Sequence, residues 1–333
     1  MILLCGIPTE SPLAMVREEL DEFGLAYVEF NQRNFRAMEM EFEVSAGSVT
    51  GRMQVDNRDH RLEDIQSVYT RLMDDQLVPE LKHEPTHSPE RQYCRSLHET
   101  LTRWCEIMPG RVLNRTGPMG SNSSKPYQAQ LIRQHGFAVP DTIVTNEPDL
   151  VMKFHAEHKR TIYKSISGVR SIVQTLEEKD LARLDQIRWC PTQFQEFIEG
   201  TNVRVHVIGS EVFATSITTD ATDYRYAQRA GKEAVLKAIE LPAELSEKCV
   251  GLANALGLAF AGIDLKMTPA NEAYCFEVNP SPAFSYYQSH TGQNIARAVA
   301  RYLGWVEQSS GDTAGRGATS LTNVCPAGES CGT

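Results

Sequence analysis

Apolar and polar positions along the first hundred residues switch between two periods, and each switch predicts a new element. ILLC is a continuous apolar run, the pattern of a buried strand. SPLAMVREELDEFG carries apolar residues at helical spacing, with Ser11 predicted as N-cap, Pro12 at the first helical position and Gly24 just past the end. AYVEF is predicted as a second strand, and MEFEVSAGSVTGRMQVD alternates across an Ala-Gly turn as a β-hairpin does. DIQSVYTRLM predicts another strand. A helix over about 89–108 follows, with Tyr93, Leu97, Leu101, Trp104 and Met108 on one face. Strands alternating with helices predict a small open α/β domain.

RTGPMGSNSSKP, dense in Gly, Ser and Pro, is the first boundary. Beyond it the pattern predicts the helix PYQAQLIRQHG closed by Gly136, then the strands DTIVT, TIYKSIS, SIVQTL and QFQEFI. TNVRVHVIGSEVFATSIT alternates strictly, as two antiparallel strands joined at Gly209-Ser210. A helix over about 243–256 ends at Gly257, AFAGIDLKMTPANEAYCFEVNP reads as a hairpin turning at Thr268 to Glu272, and a last helix covers about 291–303. The stretch from 306 to 333 is rich in Gly, Ser and Thr with little to bury, and is expected to be a disordered tail. Its hydroxyls stand beside Asp312 and Glu329, groups that a bond-forming enzyme could join, but a solvated tail is the favoured reading.

Composition narrows the class. At 333 residues, with 41% hydrophobic and 23% charged positions, the chain has the make-up of a soluble protein of two or three domains. A net charge of −10 argues against general nucleic-acid or anionic-membrane binding. The 8 cysteines are scattered without a CxxC pair, which points to a reducing, cytoplasmic setting.

The chemistry concentrates in CFEVNPSPAF. Glu277 and Asn279, two apart on a strand, project to one face beside a stretch stiffened by two prolines. Asp264, in the other arm of the same hairpin, can join them as a patch of oxygens suited to a hard cation such as magnesium. A polar face on an exposed hairpin accounts for the same residues. Four further features favour an anionic nucleotide ligand. Lys164 lies inside an apolar strand, and Lys125 opens a helix after a Gly/Ser loop, where ammonium and backbone N–H groups can meet phosphate. TQFQEFIEG sets Gln193, Gln195 and Ile198 outward around Glu196, as an adenine rim would need, and Arg204 and Arg225 offer guanidinium groups. Either arginine alone is equally a surface charge.

The order SKPYQAQLIRQHGFAVPDT, IYKSIS, QFQEFIEGTNVRVHVIG, AGIDL and FEVNPSPAF resembles the ATP-grasp superfamily over about residues 1–305, nearest to the RimK-type ligases, a branch that includes the graspetide (microviridin-type) peptide ligases. The resemblance implies a pre-ATP-grasp α/β domain (1–118) and two α+β lobes gripping ATP, a small one (119–198) and a large one with the metal site (199–305). It implies nucleotide contacts at Lys125, Lys164, Gln195, Glu196, Phe197 and Ile198. It implies magnesium, or manganese in its place, on Asp264, Glu277 and Asn279. It puts Arg225 near the reacting carboxylate and γ-phosphate and matches Arg204 to the arginine of the family's D-x-R segment; with them Arg170, from a loop that departs from the family, completes the catalytic candidates. Two positions depart from the family pattern: Asn202 stands where an acid precedes the arginine, and the loop SISGVRSIV holds a single glycine, Gly168, with Arg170, Ser165 and Ser167 in place of backbone contacts.

The implied reaction turns a carboxylate into an acyl phosphate and passes it to an amine or hydroxyl, with a peptide or small carboxylate as substrate and a homo-oligomer, dimer or tetramer, as assembly. Ligation between molecules, intramolecular ester or amide crosslinking of a ribosomal peptide, and ATP sensing without chemistry are the readings carried forward. Tyr69, Arg71 and Asp74 are expected at the cleft, with Arg71 available to a substrate carboxylate or to an ion pair. Phe284, Tyr286 and Tyr287 line a peptide pocket or pack between lobes, and His290 is a pocket or packing residue.

Overall fold

The computed structural model describes residues 1–166, 173–219 and 233–305. Among them the strands form four sheets. The first is parallel, in the order β2 (Tyr27–Asn31), β1 (Ile2–Gly6), β6 (Ser67–Thr70), β7 (Arg111–Leu113). Helix α1 (Ser11–Glu22) links β1 to β2, and α2 (Pro89–Ile107) precedes β7. Between β2 and β6 the predicted hairpin appears as β3 (Glu39–Ser45) and β4 (Ser48–Val55), extended by β5 (Arg58–Arg61) into a small antiparallel sheet.

The run ILLC is apolar throughout because this sheet is covered on both faces. Ile2 and Leu4 pack with α1, whereas Leu3 and Cys5 pack with Trp104, Leu97 and Leu101 of α2 and with Met53 of β4. Residues near the C-terminal end of the fold complete the first face. Ile295, Val299 and Leu303, on α9 (Ile295–Gly304), belong to the same cluster as Leu13, Val16 and Leu20. The N-terminal and C-terminal portions thus share one core.

After the short α3 (Thr116–Met119), α4 (Lys125–Gln134) leads to an antiparallel sheet ordered β10 (Gln174–Thr175), β9 (Thr161–Ser165), β11 (Thr192–Glu196), β8 (Thr142–Thr145). Helix α5 (Pro148–His158) backs it with Val151 and Phe154 against Phe194, and α6 (Glu178–Leu181) lies between β10 and β11. The largest sheet is also antiparallel, in the order β14 (Val235–Ile239), β13 (Glu211–Thr218), β12 (Thr201–Ile208), β15 (Phe260–Met267), β16 (Ala273–Asn279). Val203, Val205, Val207, Ile263 and Leu265 pack on one face against α4 and α7 (Ala243–Ala255). Strict alternation therefore turns Arg204, His206, Gly262 and Asp264 to the other face.

Several expectations need correction. Glu10, not Ser11, holds the N-cap position of α1. Of SIVQTL, residues 171 and 172 lie outside the described residues, and Gln174–Thr175 form β10. No strand or turn pattern announced α5, whose Leu150 and Met152 stay exposed. The last helix, α9, lies where 291–303 was expected, but a further helix, α8 (Ser285–Thr291), precedes it. Gln193 and Gln195 are buried where exposed positions were expected, on the face of β11 opposite Phe194, and the Gln195 amide donates to Thr142 Oγ1 at 2.9 Å. The tail from 306 lies outside the described residues, as do Arg170, Gly168, Ser167 and Arg225.

Candidate active site

Register brings the three candidate metal ligands together. Asp264 of β15 pairs directly with Glu277 of β16, and Gly262 pairs with Asn279, so Asp264, Glu277 and Asn279 share one face of the hairpin. The ladder shifts between Asp264 and Leu265. That bulge lets Cys275 and Val278, three residues apart, both reach the core under α7 while Glu277 and Asn279 face away from it.

Cations meet both carboxylates. Lys125 Nζ lies 2.7 Å from Glu277 Oε1 and 2.8 Å from Asn122 Oδ1. Arg204, directly opposite Asp264 across β12 and β15, places NH1 2.8 Å from Asp264 Oδ1. Its side chain is buried in a cradle over Gly262, where an added Cβ would collide with the guanidinium and with the Pro282 ring. Tyr287 closes that cradle with its ring centroid 5.7 Å from the guanidinium carbon. Asn279 Oδ1 accepts from the Ser281 N–H at 3.0 Å, which fixes its orientation and leaves a lone pair. Two carboxylates and an amide oxygen on one rigid hairpin match the donor set of a hard divalent cation.

His206 was not singled out from the sequence, although it follows Arg204 by two on β12. It is fully buried, its Nε2 stands 3.5 Å from Arg204 Nε, and its ring meets Tyr287 at 5.0 Å. Burial first, and the neighbouring guanidinium second, push its pKa well below the ordinary imidazole value.

In the sheet of β8 to β11, half-buried Lys164 of β9 sits opposite Gln193 of β11. Glu196 ends β11, where Oε1 accepts from the Asp141 N–H at 2.8 Å. Beyond it the Phe197 ring is flanked by Arg160, 3.7 Å from the centroid, and by Lys266, 5.2 Å away. The Phe197 N–H is committed to the Arg160 carbonyl at 3.1 Å, and Ile198 is buried. Burial, with Arg160 as the second cause, lowers the pKa of Lys266. Lys266 was readable as the next same-face position after Asp264; Arg160, beyond a helix the pattern did not announce, was not.

The N-terminal candidates are spoken for. Arg71 donates from Nε and NH2 to Glu10 Oε1 at 3.0 and 2.6 Å, and from NH1 to the Pro282 carbonyl at 3.3 Å. Of the two readings the ion pair holds, with the side chain 9% exposed. Tyr69 is buried in the core and Asp74 caps a short turn through the Gln76 N–H. Phe284 and Tyr287 are buried, Tyr286 is exposed, and His290 stacks on Tyr286 at 4.3 Å.

Comparison with known proteins accords with this arrangement. A probable alpha-L-glutamate ligase of Parasynechococcus marenigrum is 29% identical over 62% of this chain and 47% of its own length, so the chain spans about half of that relative. A second, from Chromohalobacter salexigens, is 26% identical over 60% of this chain and 69% of its own length. The ATP-grasp ligase PsnB, in a structure with a phosphomimetic variant of its minimal precursor, Mg and ADP, aligns at a TM-score of 0.72 and 28% identity, covering 91% of this chain and 97% of PsnB. The macrocyclase MdnC of Microcystis aeruginosa, bound to its precursor peptide MdnA, shares the fold at a TM-score of 0.74 and 20% identity over 91% of this chain and 98% of MdnC. Among the described residues no helix is long and apolar enough to cross a membrane. The RimK-like ATP-grasp domain family matches residues 122–303, the span that carries Lys125, Lys164, Glu196, Asp264, Glu277 and Asn279, and the chain belongs to that family of ATP-grasp ligases.

Proposed function

We propose that this protein is an ATP-dependent peptide ligase. A substrate carboxylate attacks the γ-phosphorus of ATP, releasing ADP and forming an acyl phosphate. An amine or hydroxyl then displaces phosphate, leaving an amide or ester, and its proton passes to solvent or to the departing phosphate. The observation that carries the ligase reading is the cross-strand pair Asp264–Glu277 with Asn279 beside it, each carboxylate met by a cation.

Asp264, Glu277 and Asn279 would hold magnesium, which when bound neutralises phosphate charge. Lys125 is placed to turn from Glu277 to phosphate, and Lys164 faces the same cleft. Arg204, held by Asp264 and His206, offers positive charge to the reacting groups without moving far. Glu196, Phe197 and Ile198 form the adenine edge, with Arg160 and Lys266 around it. The domain limits 1–118, 119–198 and 199–305, and a homo-oligomeric state, belong to the same proposal; sedimentation velocity tests the latter.

Similarity to PsnB over 91% of this chain, N-terminal sheet included, favours a peptide as substrate. Intramolecular crosslinking of such a peptide and ligation between molecules both belong to this reading. The second reading, addition of an amino acid to an acceptor, is favoured by the glutamate-ligase relatives, whose match covers 62% of the chain at most among the two described. Incubation of candidate peptides with Mg-ATP, read by intact mass, separates them: loss of water within one peptide means crosslinking, and gain of a residue mass means intermolecular ligation. Glu277→Gln abolishes either product. A wild-type protein that yields neither, and releases no ADP beyond background, overturns the ligase reading.

A further inference from the structure

Two buried amides act on the backbone of the strand that carries the candidate metal ligands. Gln128, 1% exposed on α4, donates from Nε2 to the Val278 carbonyl at 2.8 Å and accepts from the Val278 N–H at 2.9 Å. Val278 stands between Glu277 and Asn279 on β16, the edge strand of the large sheet. The side-chain amide thus does what a neighbouring strand would do at this point of the edge, beyond the place where the Ala138 carbonyl takes the Cys275 N–H at 2.8 Å. Gln128 follows Lys125 by three on the same helix, so one turn of α4 delivers an ammonium to the Glu277 carboxylate and an amide to the next peptide unit.

Asn114 works at the strand's end. It is buried after β7 and donates from Nδ2 to the carbonyls of Phe260 and Pro280, while Oδ1 accepts from the Phe260 N–H at 3.0 Å. Asn114 thereby ties the first residue of β15 to the residue after β16 with an amide from outside the sheet.

We propose that Gln128 and Asn114 are positioning residues that set divalent-metal affinity by holding Glu277 and Asn279 in register, without touching the metal. This rests on the metal reading of the proposed function. Outer contacts of this kind are worth roughly tenfold to a hundredfold in metal affinity. The protein contains its own control. Gln32, fully buried in the N-terminal sheet region, clasps the Met73 backbone in the same two-bond manner, at 2.6 and 2.9 Å, on a segment outside β15 and β16.

The test is a Mn2+ titration in the presence of ADP, read by loss of the free-ion electron paramagnetic resonance signal. Gln128→Met and Asn114→Leu are expected to weaken Mn2+ binding by about tenfold or more, and Gln32→Met to leave it within about twofold, since it removes the same contacts elsewhere. Gln128→Glu keeps the acceptor for the Val278 N–H and is expected to fall between; it carries the test should Gln128→Met not fold. Wild type that binds Mn2+ with the Gln128 and Asn114 variants unchanged overturns this inference alone, as does an equal loss in Gln32→Met. Wild type that binds no Mn2+ overturns the metal reading and this inference with it.

Discussion

Lys125 and Glu277 form an ion pair at 2.7 Å, joining the start of α4 to the middle of the metal-candidate strand. Under the proposed function one of these groups meets phosphate and the other a cation, so the pair would be a placeholder that nucleotide and metal jointly displace. Both side chains are about one-fifth exposed, at 20% and 22%, and such a pair is worth about 0.5–1 kcal/mol. Lys125→Met is therefore expected to bind Mn2+ alone about twofold to fivefold more tightly. The same variant loses ATP affinity and turnover. Calorimetry with metal and nucleotide added separately checks both; a variant that binds metal alone no better than wild type refutes the competition.

Gly262 is the floor on which Arg204 rests. A Cβ there would drive into the guanidinium and the Pro282 ring, parting Arg204 from Asp264. Gly262→Ala is expected to lower turnover by at least about tenfold and stability by about 1–3 kcal/mol, the usual cost of overfilling a packed site. Rates under saturating Mg-ATP and thermal unfolding measure the two effects. Unchanged turnover would mean that Arg204 does not need this seat.

Buried His206 gives stability a pH dependence of known sign. Its folded pKa lies below the ordinary 6.5, so below that pH the unfolded chain binds a proton the folded one refuses. The stability contribution is complete above 6.5 and is lost as pH falls from there towards the folded value. The slope from this one group is at most about 1.4 kcal/mol per pH unit. Denaturant unfolding between pH 7 and 5 is expected to show this slope in wild type and a shallower one in His206→Gln.

Much of the site was legible because period 2 places chemistry on one face: Glu277 with Asn279, and the alternation of VRVHVI that sends Arg204 and His206 away from three buried valines. The hairpin turn at Thr268 to Glu272 supplied Asp264, as the register bears out. What stayed hidden depends on partners distant in sequence. Gln193 and Gln195 read as outward because alternation separates the two faces of β11 but cannot say that both are covered. Gln128 reads as an ordinary helix residue, since its strand partner lies 150 positions away. The bulge beside Asp264 leaves no local signature, because Cys275 and Val278 are both apolar and either parity looks acceptable.

Arg71 separates a structural role from a substrate role. It joins Glu10, at the foot of α1, to the Pro282 carbonyl beyond the metal-candidate strand, so the N-terminal sheet braces NPSP directly. Its side chain is nearly enclosed, and Glu10 already takes the two bonds that a substrate carboxylate would seek. Arg71→Met keeps the aliphatic stem and leaves the Pro282 carbonyl without this donor, at a cost of about 2 kcal/mol of stability. Arg71→Lys recovers part of this, since one ammonium can reach Glu10 but cannot fork to Pro282 as well. Under native conditions KM for the peptide is expected to stay within about twofold in both variants, because each acts on the brace and not on bound substrate. A KM that rises tenfold or more in Arg71→Lys, with thermal stability intact, would instead return Arg71 to the substrate carboxylate.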